Sequence, residues 1–137
     1  VTLVVDASVA LKWVLAEPGQ AAADALLDDD LIAPSLWLLE AANALWRRNL
    51  RGELSVGEAE ERLSELFNAP VTSIPIEEDL AAAAALAQRL GHPVYDCLYL
   101  ALAIREQTYV VTADRRFWRV AQTAGDLADR VRLLEKG

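Results

Sequence analysis

The sequence predicts a three-layer α/β/α domain built on a short, mostly parallel central sheet of about five strands. Three observations carry this. Short β-branched runs alternate with helical segments along the whole chain, so successive strands are joined by crossovers rather than hairpins and lie parallel. At 54% hydrophobic and 25% charged, with 6 Gly and 5 Pro, the composition is that of a globular protein. The 137 residues also fit a single domain, 1–137, able to bury its own core.

The elements follow in order. Residues 2–5, Thr-Leu-Val-Val, form a strand ending at Asp6, and Ala7 to Leu15 has helical composition. Pro18-Gly19 breaks the chain, Gln20 to Asp30 reads as a second helix, and Leu31-Ile32-Ala33 is a brief strand stopped by Pro34. Leu36 to Asn49 is the longest helix, with Leu38, Ala42 and Leu45 at helical spacing and Arg47, Arg48 and Arg51 where cations suit the C-terminal dipole. Ser55 to Asn68 opens on a capping-box pattern, Ser55 with Glu58, and puts Ala59, Leu63, Leu66 and Phe67 on one side. Val71 to Ile76 reads as a strand, Glu77 to Leu90 as an Ala-rich helix closed by Gly91, and Tyr95 to Gln107 as a helix opened after Pro93. Tyr109 to Thr112 is the clearest buried strand, Asp114 starts a further helix, and Val131 to Leu134 is a last strand before a charged end. There is no internal repeat, no linker, and no low-complexity tract beyond Ala81 to Ala85.

Charge and cysteine content narrow the function. With 13 Lys and Arg against 21 Asp and Glu, the net charge of −8 argues against a basic protein that coats nucleic acid. The lone Cys97 leaves no internal disulfide and fits a reducing cytoplasm. Val1 to Val5 is broken by Asp6 with no basic lead, so no secretion signal is expected. Apolar stretches such as Cys97 to Ile104 fall far short of the roughly 20 residues that span a bilayer.

Four carboxylates stand in otherwise apolar or small-residue settings: Asp6, Glu40, Asp96 and Asp114. Carboxylates are rarely buried unless paired or metal-bound. Asp6 and Asp114 fall at the C-terminal ends of strands, where ligands of parallel sheets bind. Taken singly, Asp6, Asp96 and Asp114 read more readily as helix caps or first-turn acids than as ligands. Glu40 discriminates, since a mid-helix acid has no capping role, although an ion pair to Arg47 would also account for it. Glu40, Asn43 and Arg47 form one polar ridge at i, i+3 and i+7. A site gathering these acids without bases needs a divalent cation, and oxygen ligands without a Cys/His cluster point to Mg²⁺ or Mn²⁺.

The order Asp6-Ala7-Ser8, Glu40-Ala41-Ala42-Asn43, Asp96 with Ala101, then Thr112-Ala113-Asp114 with Phe117 resembles the PIN-domain ribonucleases. More narrowly, it resembles the VapC-type toxins of toxin–antitoxin pairs. The resemblance spans essentially the whole chain and implies a PIN-like fold. It implies an acidic quartet, Asp6, Glu40, Asp96 and Asp114, holding one or two Mg²⁺ ions, with Ser8, Asn43 and Thr112 as supporting polar residues. It further implies a metal-dependent endoribonuclease that hydrolyses RNA phosphodiester bonds without a nucleophilic side chain, neutralised by a cognate antitoxin and acting as a homodimer in the cytoplasm. One position departs from the family pattern: many members carry another acid two residues after the last Asp, where this chain has Arg116.

Other residues carry weaker signals. Arg115, Arg116, Arg119 and Lys12 are candidate phosphate contacts, and equally read as a solvated helix face. His92 reads as a surface or capping residue, Cys97 as core. Trp13, Trp37, Trp46 and Trp118 read as core, with Trp13 and Trp37 also placed to line a partner groove. Two other functions compete. A haloacid-dehalogenase-type phosphatase needs a second Asp where Ser8 stands, and a non-catalytic RNA- or protein-binding module would have no use for the full quartet.

Overall fold

The structure, a computed structural model, describes residues 2–134; Val1 and the charged end 135–137 lie outside the described residues. Five strands, β1 (Thr2–Val5), β2 (Asp30–Pro34), β3 (Val71–Ile74), β4 (Val110–Thr112) and β5 (Val131–Leu133), form one sheet in the order β3-β2-β1-β4-β5. Every pairing is parallel, with Leu3 opposite Leu31 and Val5 opposite Val111. The expected mostly parallel sheet is therefore wholly parallel. The helices are α1 (Ala7–Ala10), α2 (Gln20–Ala25), α3 (Trp37–Leu50), α4 (Val56–Phe67), α5 (Leu80–Leu90), α6 (Val94–Arg105) and α7 (Arg115–Gln122).

Strand alternation builds two cores. Leu3 and Val5 of β1, with Leu31 and Val111, point to the side covered by α2 and Trp13. Val4, with Ile32 and Val110, points to the other side, where Tyr99, Leu100 and Ala103 of α6 pack with Trp37 and Leu45 of α3 and Phe117 of α7. Because α6 lies between the sheet and α5, residues 97–103 are all buried, and the helix is apolar all round. No helix among the described residues is long and apolar enough to cross a membrane.

Several local expectations shift for physical reasons. β3 ends at Ile74, not Ile76, because Pro75 has no N–H for the ladder. Ala7 to Leu15 yields a single α-turn continued by a 3₁₀ turn over Leu11–Trp13. On α3 the buried row is Trp37, Ala41 and Leu45, while Leu38 and Ala42 are only half-buried. The large Trp37 ring sets that rotation, with its indole N–H donating to Ser73 Oγ at 3.0 Å. Phe67 is 67% exposed because α4 packs on one side only and buries Leu66 instead. The tryptophans divide as well. Trp37 is buried and lines no groove, the half-buried Trp13 commits its indole N–H to the Ala23 carbonyl, and Trp46 is 55% exposed rather than core.

Candidate active site

The strand order reverses direction between β1 and β4, and the crevice beyond their C-terminal ends is where parallel sheets bind ligands. Asp6 leaves β1 directly into this crevice and caps α1, its Oδ1 accepting the Val9 N–H at 3.2 Å. Ser8 Oγ donates to the same oxygen at 2.5 Å, and Thr112 Oγ1 at the end of β4 donates to Oδ2. These hydroxyls in turn accept from the backbone of the next turn, Ser8 Oγ from Ala113 N and Thr112 Oγ1 from Asp114 N, each at 3.0 Å. Asp6 thus stitches two neighbouring strands at the level of the site. Its partners are all neutral. Burial pushes its pKa up to about 7, the Asp96 carboxylate pushes the same way, and the hydrogen bonds from Ser8, Thr112 and Val9 only partly offset this.

Glu40 sits in the first turn of α3, not mid-helix as expected, because the helix starts only at Trp37, so the helix dipole also favours an acid there; Tyr99 of α6 donates its hydroxyl to Glu40 Oε1 at 2.5 Å. Burial raises the Glu40 pKa and Asp96 adds to it, against the Tyr99 hydrogen bond. Asp96, one turn before Tyr99, meets His92 Nε2 at 2.6 Å through Oδ2. Burial raises the Asp96 pKa, Asp114 adds repulsion, and His92 and Arg116 oppose it. The His92 ring is buried and stacks on Phe117, centroids 5.6 Å apart and planes 15° off parallel. It is neither a surface residue nor a helix cap. Asp114 caps α7, its Oδ1 accepting from Arg116 N at 2.9 Å and Phe117 N at 3.3 Å.

All four acids line one cleft of about 230 Å³, together with Ser8, Tyr99 and Arg47. Three of them are pushed toward protonation, first by burial and then by a neighbouring acid, Asp96 for Asp6 and Glu40, and Asp114 for Asp96, the condition a bound cation relieves. The donors are oxygens, suited to a hard cation. Among the described residues no three His, Cys, Asp or Glu side chains form a ready ligand cluster.

The other expected residues separate. Ser8 and Thr112 support Asp6, whereas Asn43 opens onto an adjoining cavity with Glu40. Arg116 is close enough to Asp96 to stabilise its charge. Lys12 is tied to Glu17 at 3.3 Å and to the Pro18 carbonyl at 2.7 Å, so its ammonium is already satisfied. It shares a different cleft with Arg115, bounded by Gly19 and Leu134. Arg119 is exposed one turn further along α7. Cys97 is buried, and burial pushes its thiol up to about 11, so it is core and unreactive as expected. Tyr99 and His92 are the two site residues that sequence reasoning missed. Their signal was spacing: Tyr99 is i+3 from Asp96 and His92 is i−4.

A family model described as the PIN domain matches residues 3–122, a span containing all four acids. Ribonuclease VapC3 of Pyrobaculum aerophilum is 37% identical over 118 residues, covering 83% of this chain and 90% of that protein. Two solved structures share the fold. PAE2754 from Pyrobaculum aerophilum matches with a TM-score of 0.70 at 24% identity, over 88% of this chain and 79% of the other. VapBC2 from Rickettsia felis, crystallised with a DNA fragment from its promoter, matches with a TM-score of 0.64 at 12% identity, over 98% and 100%. On the length of that match and the level of that identity, the chain belongs to the PIN-domain family.

Proposed function

We propose that this protein is a Mg²⁺-dependent endoribonuclease of the VapC toxin type, with Mn²⁺ as an alternative ion. One observation carries the reading: Asp6, Glu40, Asp96 and Asp114, from four separate elements, line a single cleft at the switch point of the sheet, with Arg47 the one cation on its described wall. The relative named Ribonuclease VapC3 supports it.

These four carboxylates would hold the cation. A divalent ion in such a site supplies Lewis-acid stabilisation of the charge developing on the phosphate oxygens and makes water a competent nucleophile at neutral pH. Each acid has a partner that fixes its orientation beforehand. Ser8, Thr112 and the Val9 amide hold Asp6, Tyr99 holds Glu40, His92 holds Asp96, and the first amides of α7 hold Asp114. Such outer partners fix ligand geometry and tune affinity. Arg47 on the cleft wall and Arg116 beside Asp96 would supply positive charge for the RNA backbone.

An antitoxin that covers the cleft, a homodimer and a cytoplasmic setting belong to the same reading. A groove between α3 and α4, lined by Ala42, Leu45, Trp46, Val56 and Leu63, is an exposed apolar surface of the kind such partners use. Antitoxin-free protein incubated with a panel of single-stranded and transfer RNAs, in Mg²⁺ or in EDTA, tests the proposal. Mg²⁺-dependent cutting to 5′-phosphate and 3′-hydroxyl ends, lost in Asp6→Asn and Glu40→Gln, is expected. Products with 2′,3′-cyclic phosphates, or folded protein that neither cuts RNA nor binds Mg²⁺ or Mn²⁺ by calorimetry, would overturn it.

A further inference from the structure

We propose that the cavity adjoining the acidic cleft is a subsite for one unstacked nucleobase of single-stranded RNA, next to the bond that is cut, with Tyr95 as its stacking surface. This rests on the nuclease reading above and specifies what the site reads in its substrate.

The cavity, about 460 Å³, is lined by Leu36, Leu39, Glu40, Asn43, Arg47 and Tyr95. It shares Glu40 and Arg47 with the acidic cleft, so the two spaces are continuous. Its volume falls within the range of small-molecule sites. Its apolar walls are attached to the acids themselves: Tyr95 immediately precedes Asp96 on α6, and Leu39 immediately precedes Glu40 on α3. Both are strongly exposed, Tyr95 at 64% and Leu39 at 73%. A large aromatic and a large aliphatic side chain left open beside a carboxylate site have no role in the core.

The wall carries the groups a nucleotide needs. Arg47 stands where the two cavities meet and forms no ion pair among the described residues, so its guanidinium is available to the phosphate between the cut bond and the next base. Asn43, exposed one turn along α3, offers an amide donor and acceptor to a base edge. Tyr95 and Leu39 offer an aromatic face and an apolar wall. Base stacking on aromatic side chains is the usual mode of binding unpaired RNA, and bases inside a duplex do not present their faces. The concavity, an Arg47 unpaired among the described residues and the direct continuity with the carboxylates favour a nucleotide.

The test is steady-state cleavage, in Mg²⁺, of a labelled single-stranded oligoribonucleotide containing one cut site, together with versions carrying an abasic nucleotide on either side of the cut. Tyr95→Ala is expected to raise KM roughly tenfold with kcat little changed, and Tyr95→Phe to restore it. One abasic substrate should cost wild type a similar factor and cost Tyr95→Ala nothing more, since base and ring act on each other. Leu39→Ala should give a smaller shift in the same direction. Independent, multiplying effects of the abasic site and of Tyr95→Ala would overturn the proposal. So would an unchanged KM in Tyr95→Ala combined with a shift to a smaller species in sedimentation, which would assign this face to a second copy of the chain. Wild-type protein that cuts no RNA would instead bring down the nuclease reading, and the subsite with it.

Discussion

Asp6 and Asp79 are each only 5% exposed, yet the protein treats them in opposite ways. Asp79, at the start of α5, receives a two-pronged ion pair from Arg105 of α6, Nε to Oδ1 at 2.7 Å and Nη2 to Oδ2 at 3.0 Å. The pair fastens two helices, and the negative charge is met by a positive one inside the same chain. Asp6 receives only neutral donors, two hydroxyls and an amide, and its neighbours Asp96 and Glu40 are acids. Burying a carboxylate without a cation is costly, and here the cost appears as a pKa pushed up to about 7. The difference teaches how to read a buried acid. One that brings its own arginine is structural, and one left to neutral donors beside other acids carries an uncompensated charge that the proposed cation would neutralise.

The largest expected effect comes from removing the uncompensated charge. Asp6→Asn should lower Mg²⁺-dependent RNA cleavage by on the order of a hundredfold or more, while its metal-free melting temperature stays at or above that of wild type. Asp79→Asn should do the reverse. Cleavage persists, but stability falls by about 2 kcal/mol in urea titrations, less than for a fully buried pair because Arg105 is partly exposed and can turn to water. If Asp6→Asn proved the less stable of the two, the contrast between the acids would collapse.

The next effect concerns Asp96. His92→Phe keeps a ring to stack on Phe117 but loses the hydrogen bond, so Mn²⁺ affinity measured by calorimetry should drop about tenfold, with His92→Gln recovering part of it. Equal affinities would reduce His92 to packing.

pH sharpens the comparison further. Burial pushes the Asp6 pKa from an ordinary 3.8 up to about 7 in the folded protein. Its raised value means that its contribution to metal-free stability is complete below 3.8 and is lost as pH rises through about 7. Glu40 and Asp96 shift in the same direction. In EDTA, the melting temperature of wild type relative to Asp6→Asn should therefore fall as pH rises across that window. Saturating Mn²⁺ should reverse the trend, because the cation binds the ionised acids. The smallest effect is expected from Tyr99→Phe. Removing one hydroxyl from Glu40 should cost about 1 kcal/mol of stability and a severalfold loss of cleavage.

Much of this was legible along the chain. All five strands and the intervening helices appear in the expected order, and the acids Asp6 and Asp114 occupy strand ends and helix caps as their settings indicated. Capping works the same way: Ser55 and Glu58 close their box within four residues of each other. These features depend on contacts close in sequence or on simple periodicity. Trp46, Phe67 and His92 were misjudged for the opposite reason. Hydrophobic type sets the tendency to be buried, but which flank of α3 and α4 meets a neighbour depends on how those helices dock, and His92 is buried only because Phe117 arrives from another element.

By itself, then, the sequence determined the alternation of elements, the parallel sheet that crossover connections require, and the placing of Asp6 and Asp114 at its C-terminal edge, since all of these follow from local pattern. Tertiary structure alone decided that β1 and β4 are neighbours, so that Thr112 reaches Asp6 across 106 positions, and that Tyr99 meets Glu40 across 59. It also decided which buried acid meets Arg105 and which meets only other acids. The physical reason is that pattern fixes which face of an element is apolar, whereas the partner of a buried charge is set by where distant segments come to rest against one another.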